Sequence, residues 1–190
     1  MSRTKPVVAA FGDSLTQGWG IGRREAYPAV LAGLLSARGI AAEVRNFGVS
    51  GETAGDGLRR LPSVLAARPD VAVVAFGAND AFERLPPEKV AADLARILEA
   101  LSQAGERCLL AGVRAPRELG RDYVQAFDAL YPRLAGRLNV PLVPDILADC
   151  LADPDLLLPD GYHPNAMGAR RIAEILLPHV LELLPRAAAR

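Results

Sequence analysis

The sequence predicts an α/β fold, with five parallel strands joined by crossover helices in a single domain over residues 1–190. Three observations carry this. Apolar runs at residues 7–11, 42–47, 71–76, 109–113 and 140–146 are each of strand length. Longer stretches of helical periodicity separate them, and parallel strands require such crossovers. A chain of 190 residues, 51% of them hydrophobic, fills one sizeable core but is short for two. No repeat, low-complexity run or interdomain linker interrupts the pattern.

Taken in order, the run at 7–11 reads as a buried strand, and the polar residues of the next ten positions emerge where it stops. Gly12 permits a sharp bend there, and Gly18, Gly20 and Gly22 keep the following turn free of bulk. A helix over 27–38 is closed by Gly39. After the second strand, Thr53 can cap a helix over 53–67, which Pro69 stops. The clearest helix covers 87–104, with Val90, Leu94, Ile97, Leu98 and Leu101 on one stripe and Gly105 at its end. Helices at 121–138 and 165–184 complete the alternation. The Pro- and Asp-rich stretch 149–164 is the longest without periodicity, and loops of that length in compact domains are commonly functional.

Twenty-two basic residues balance twenty-two acidic ones, so the chain has no overall field to gather nucleic acid or an anionic membrane. A small or neutral partner is expected. No apolar run reaches about eighteen residues, so no membrane insertion is expected. Residues 1–6 lead into the first strand without an apolar signal core. A cytoplasmic location is therefore expected, or a periplasmic or secreted one if a leader has been removed. Cys108 and Cys150 are too few for a disulfide framework and lack zinc-site spacing, so both are expected to be structural. The two histidines show no metal-ligand spacing, and neither a metal nor another cofactor is expected.

Four polar clusters follow strand ends: Asp13 with Ser14, Ser50 to Thr53, Gly77 to Asp80, and Asp160 to His163. One sheet edge would gather them, at the place where open α/β sheets bind ligands. Ser14 in isolation is a nucleophile, a helix N-cap or a phosphate contact. A histidine whose ordinary pKa is about 6.5 can take a serine proton near neutral pH, and a carboxylate behind it fixes its tautomer. Asp160 and His163 supply that pair, and Pro164 places it in an extended loop before the last helix. His179 has only Glu182 beside it on its own helix and reads as solvated or core-flanking. Asn79, Gly51 and the Ser14 N–H can serve as oxyanion donors, although Asn79 and Gly51 also suit ordinary turns. Ser50 is the rival nucleophile, in a turn whose helix it could cap. A Gly-x-Ser-x-Gly elbow is absent around either serine.

The blocks Gly12-Asp13-Ser14-Leu15, Gly51, Gly77-x-Asn79-Asp80 and Asp160-x-x-His163-Pro164, in that order, resemble the SGNH (GDSL) hydrolases over the whole chain. Residues 46–53, 57–62, 131–135 and 160–165 look like its bacterial thioesterase, arylesterase and lysophospholipase branch. The resemblance implies a three-layer, flavodoxin-like fold. It implies Ser14 as nucleophile, His163 as base, Asp160 as its partner, and an oxyanion hole from Ser14, Gly51 and Asn79. The chain departs from that branch in lacking an export signal, in Ala78 where glycine is frequent, and in its two cysteines.

The expected substrate is a small to medium acyl ester or thioester. Asp13, Asp80, Phe82, Val113 and Pro116 are placed around it, the two aspartates holding their turns and the others offering apolar contact with Ala81, Leu85 and Ala115. Two other readings stay open on the sequence. One is an acyltransferase or carbohydrate deacetylase using the same triad, and the other a flavodoxin-like module holding phosphate or flavin on its Gly-rich turn.

Overall fold

The computed structural model describes residues 5–185, and the leading residues 1–4 and trailing residues 186–190 lie outside that range. Strands β1 (Val7–Gly12), β2 (Glu43–Gly48), β3 (Val71–Ala75), β4 (Arg107–Ala111) and β5 (Leu142–Val143) form one sheet in the order β2-β1-β3-β4-β5. Every neighbouring pair is parallel. β1 and β3 are buried along their whole length, which is why they read as unbroken apolar runs.

The helices are α1 (Ser14–Gln17), α2 (Tyr27–Ser36), α3 (Ala54–Ala67), α4 (Ala78–Phe82), α5 (Pro87–Gln103), α6 (Arg121–Leu138), α7 (Ala148–Ala152) and α8 (Ala166–Leu183). Strand order reverses at β1, so the chain crosses first to one side of it and thereafter to the other. Right-handed crossovers then put α2 on one face and α3, α5 and α6 on the opposite one. The packing follows: α2 lies against α8, while α3, α5 and α6 pack in series. The result is the expected three-layer α/β/α domain with the flavodoxin strand order. Its topological switch point falls between β1 and β3, and their C-terminal ends are level, with Gly12 paired to Ala75 and to Gly48 of β2.

Three local expectations change. The fifth strand shrinks from 140–146 to Leu142–Val143, because Pro141 and Pro144 bracket it and proline has no N–H to give the ladder. The stretch 149–164 is not an open loop. It holds the end of α7, a 3₁₀ turn at Pro154–Leu156 and an antiparallel bridge between Leu157 and Pro164. Gly39, though in a left-handed conformation, stands beyond the α2 cap at Ala37.

Cys108 and Cys150 are both buried and unbridged. Burial pushes their thiols up, to about 12 and about 11 respectively. Among the described residues no helix is long and apolar enough to cross a membrane.

Candidate active site

Gly12 and Gly48 end β1 and β2 where α1 lies across them. A Cβ on Gly12 would stand 2.4 Å from the Ala75 carbonyl oxygen, and one on Gly48 would stand 2.1 Å from the Gln17 backbone nitrogen. Neither glycine has a left-handed φ, so Gly12 is needed for close approach and not for the bend expected of it. Asp13, not Ser14, caps α1: its carboxylate accepts the Leu15 N–H at 3.0 Å. That leaves the Ser14 hydroxyl free of capping duty. Asn46 donates to the Thr16 carbonyl at 2.9 Å and so ties α1 to β2.

His163 arrives on a short hairpin closed by the Leu158 N–H donating to the His163 carbonyl at 2.7 Å. Its Nε2 lies 3.1 Å from Ser14 Oγ, and its Nδ1 lies 2.8 Å from Asp160 Oδ2. The other carboxylate oxygen, Oδ1, accepts the backbone N–H groups of Tyr162 and His163 at 2.9 and 3.0 Å. The His163 N–H foremost, then the Tyr162 N–H and the imidazole, hold the Asp160 carboxyl low, at about 2. Asn165 then starts α8, accepting the Met167 and Gly168 N–H groups, while its amide donates back to the carbonyls of Asp155 and Leu157. The hairpin is thus pinned at both ends.

Asn79 enters from α4, beyond β3, and lines the same cleft as Ser14. Its amide donates to the Glu52 carbonyl at 2.8 Å and makes a longer contact, 3.4 Å, with Asp13 Oδ2. Arg60 of α3 pairs with the Glu52 carboxylate, donates to the Gly12 carbonyl at 3.0 Å and lies 4.7 Å from the Phe11 ring centre. One guanidinium therefore braces the strand before the serine and the turn behind Asn79. Gly51 adopts φ +81° in that turn, but it stands outside the residues that line the cleft.

A family model described as the GDSL-like Lipase/Acylhydrolase family matches residues 10–171. The chain belongs to that family. The chain is accordingly an acylhydrolase-family enzyme. An arylesterase of Vibrio mimicus is 29% identical to it over 184 residues, 96% of this chain and 92% of the relative. The thioesterase 1/protease 1/lysophospholipase L1 of Escherichia coli (strain K12) is 35% identical over 155 residues, 81% of this chain and 73% of the relative. The crystal structure of AlinE4, an SGNH-hydrolase family esterase, superposes with a TM-score of 0.79 at 39% identity, covering 97% of this chain and all of that one, 100%.

In this acylhydrolase the cleft beside Ser14 encloses about 1120 Å³. Phe82, Val113, Ala115 and Pro116 line it as expected, whereas Ala81 and Leu85 do not. Leu147, Ala148 and Leu151, at and within α7, form a wall that sequence reasoning missed, because 149–164 carries no helical period to announce it.

Two of the substrate-facing assignments need correcting. Asp13 and Asp80 are 1% and 0% exposed and lie beneath the cleft, not on its lining. Each instead accepts backbone N–H groups, Asp80 from Ala54 at 3.0 and 3.2 Å, which is the turn-holding work expected of both. Burial raises Asp13 to about 7 and Asp80 to about 6. Ser50 donates to the Gln17 side chain at 2.6 Å, and Thr53, not Ser50, caps α3.

Proposed function

We propose that the protein is a serine ester hydrolase that works through Ser14, His163 and Asp160 and passes through an acyl-enzyme. The observation that carries this reading is the 3.1 Å approach of the Ser14 hydroxyl to the His163 ring, across 149 positions of sequence, with Asp160 on the ring's far nitrogen. With Nδ1–H donated to Asp160, Nε2 is the free base. It takes the Ser14 proton as Oγ attacks an ester or thioester carbonyl, and returns it to the leaving oxygen or sulfur. Water then repeats the sequence on the acyl group.

The tetrahedral oxyanion is held by the Ser14 N–H, in the first turn of α1 where helix amides lack intrahelical partners, and by the Asn79 amide. The long Asn79 contact to Asp13 is the one that a charged oxygen displaces, since charge-assisted bonds are shorter and stronger. Gly51, the third donor expected, stands outside the cleft lining; it sits one residue before the Glu52 carbonyl that orients Asn79, and its part in the hole is to shape that turn.

The cleft of about 1120 Å³ with its apolar walls suits small to medium acyl chains, in keeping with relatives named arylesterase and thioesterase 1/protease 1/lysophospholipase L1. The chemistry requires no cofactor. Ser14→Ala is expected to reduce p-nitrophenyl butyrate turnover by on the order of 10³-fold or more, and to abolish labelling by a fluorophosphonate, in a protein whose circular dichroism is unchanged. Turnover retained in that variant would exclude Ser14 as nucleophile.

A further inference from the structure

Trp19 is the chain's single tryptophan, and none of the steps above uses it. At 47% exposed it is not a core residue. Its indole lies against the His163 imidazole, ring centres 4.5 Å apart and planes inclined by 37°. The chain builds that contact deliberately. Gly18 and Gly20 flank Trp19 in left-handed conformations, at φ +82° and +76°, which few other residues tolerate. The Trp19 backbone N–H donates to the backbone carbonyl of Ser14 itself at 3.1 Å, so hydroxyl and indole are carried on one short turn. A Cβ on Gly20 would stand 2.5 Å from the Leu158 side chain, so this turn is seated directly on the histidine hairpin.

We infer that Trp19 is a positioning residue for His163: its indole covers one face of the imidazole, keeps Nε2 aimed at Ser14 Oγ, and favours the imidazolium formed when Ser14 gives up its proton. The inference rests on His163 being the base. No bond to the indole forms; the proton moves from Ser14 Oγ to Nε2, Nδ1–H stays on Asp160, and the positive ring then faces the electron-rich indole. Three groups besides Trp19 bear on that ring's charge. They are Asp160 from its own hairpin, the Ser14 hydroxyl from α1, and the buried Asp13 carboxyl beneath Ser14, which itself titrates at about 7.

Because the chain has one tryptophan, its emission reports Trp19 alone. A protonated imidazole in contact quenches an excited indole by accepting an electron. The emission should therefore fall on acidification in a single transition whose midpoint matches the acid limb of kcat/KM, and His163→Asn should remove the transition. Trp19→Leu should lower kcat about tenfold with KM little changed, and should move the acid limb roughly half a pH unit lower, since a cation–π partner of the charged ring has been lost. Trp19→Phe, which restores an aromatic face, should recover most of both.

Emission independent of pH would overturn the inference. So would a transition surviving in His163→Asn, which would trace it to Asp13, or a Trp19→Leu enzyme with the parent's kcat and acid limb. Wild-type turnover in Ser14→Ala alongside a His163-dependent transition would instead overturn Ser14 as the nucleophile and still support the contact.

Discussion

Ser14 is free to react because its neighbour does the structural work. Asp13 caps α1 from a site with 1% exposure, and burial holds its carboxyl near 7 instead of 3.8. Between those two values the unfolded chain releases a proton that the folded one keeps, so Asp13 makes stability fall as pH rises through that window. Asp13→Asn, whose side-chain oxygen can still accept the Leu15 N–H, is expected to flatten the fall in urea midpoint between about pH 4 and about pH 7; Asp80, raised in the same sense to about 6, supplies what remains. Asp160 behaves oppositely. Lowered from 3.8 to about 2, its stabilising effect is complete above the unfolded value and is lost as pH drops through about 2, so at neutral pH it is an anion behind the imidazole. Asp160→Asn is expected to lower kcat by roughly 10³-fold with KM little changed, because the histidine loses its tautomer lock. Steady-state kinetics on a p-nitrophenyl ester checks both parameters.

At the level of elements, the site depends on how helices begin. α3 opens with a capping box in which Thr53 and Asp56 satisfy each other's backbone N–H groups, and the Asp80 carboxylate accepts from Ala54 in the same turn. Thr53→Ala is expected to cost about 1 kcal/mol in denaturant unfolding. Helix interiors are more tolerant than local rules suggest. α3, α6 and α8 each run through a proline, Pro62, Pro132 and Pro178, although an interior proline costs about 3 kcal/mol in isolation. Each of these helices buries a face against the sheet or a neighbouring helix, and that burial outweighs the lost hydrogen bond. In β5 nothing comparable compensates, and the flanking prolines shorten the strand.

Across the whole molecule, the cleft is an assembly of distant segments: α1 supplies Ser14, α4 supplies Asn79 and Phe82, the loop after β4 supplies Val113 and Pro116, and α7 supplies Ala148 and Leu151. Phe82 and Tyr162 meet edge to face at 5.6 Å, joining the wall from α4 to the histidine hairpin. Ala148 is an exposed position on that lining, so Ala148→Trp can fill the cleft without disturbing the core. It is expected to reduce kcat/KM for octanoyl and longer esters by about tenfold while sparing acetate, since each buried methylene contributes about 0.8 kcal/mol. A chain-length series of p-nitrophenyl esters measures this directly.

The succession of five strands and five long helices was legible in the sequence because most of them bury a continuous face, and burial imposes a period that residues display one by one; β2, which edges the sheet without a fully buried residue, and the two-residue β5 were legible only as apolar runs. That Ser14, Asn79, Asp160 and His163 come together was legible for a related reason: the polar clusters that hold them follow strands, on the side where an α/β sheet gathers its loops. The short α1, α4 and α7 were not, since one or two turns are too few to establish a period. The burial of Asp13 and Asp80 under the cleft, the Arg60 brace and the indole on His163 were also hidden. All four are contacts between segments remote in sequence, and only the assembled sheet and its packed layers set the distances that decide whether a carboxylate meets substrate, a guanidinium or an amide.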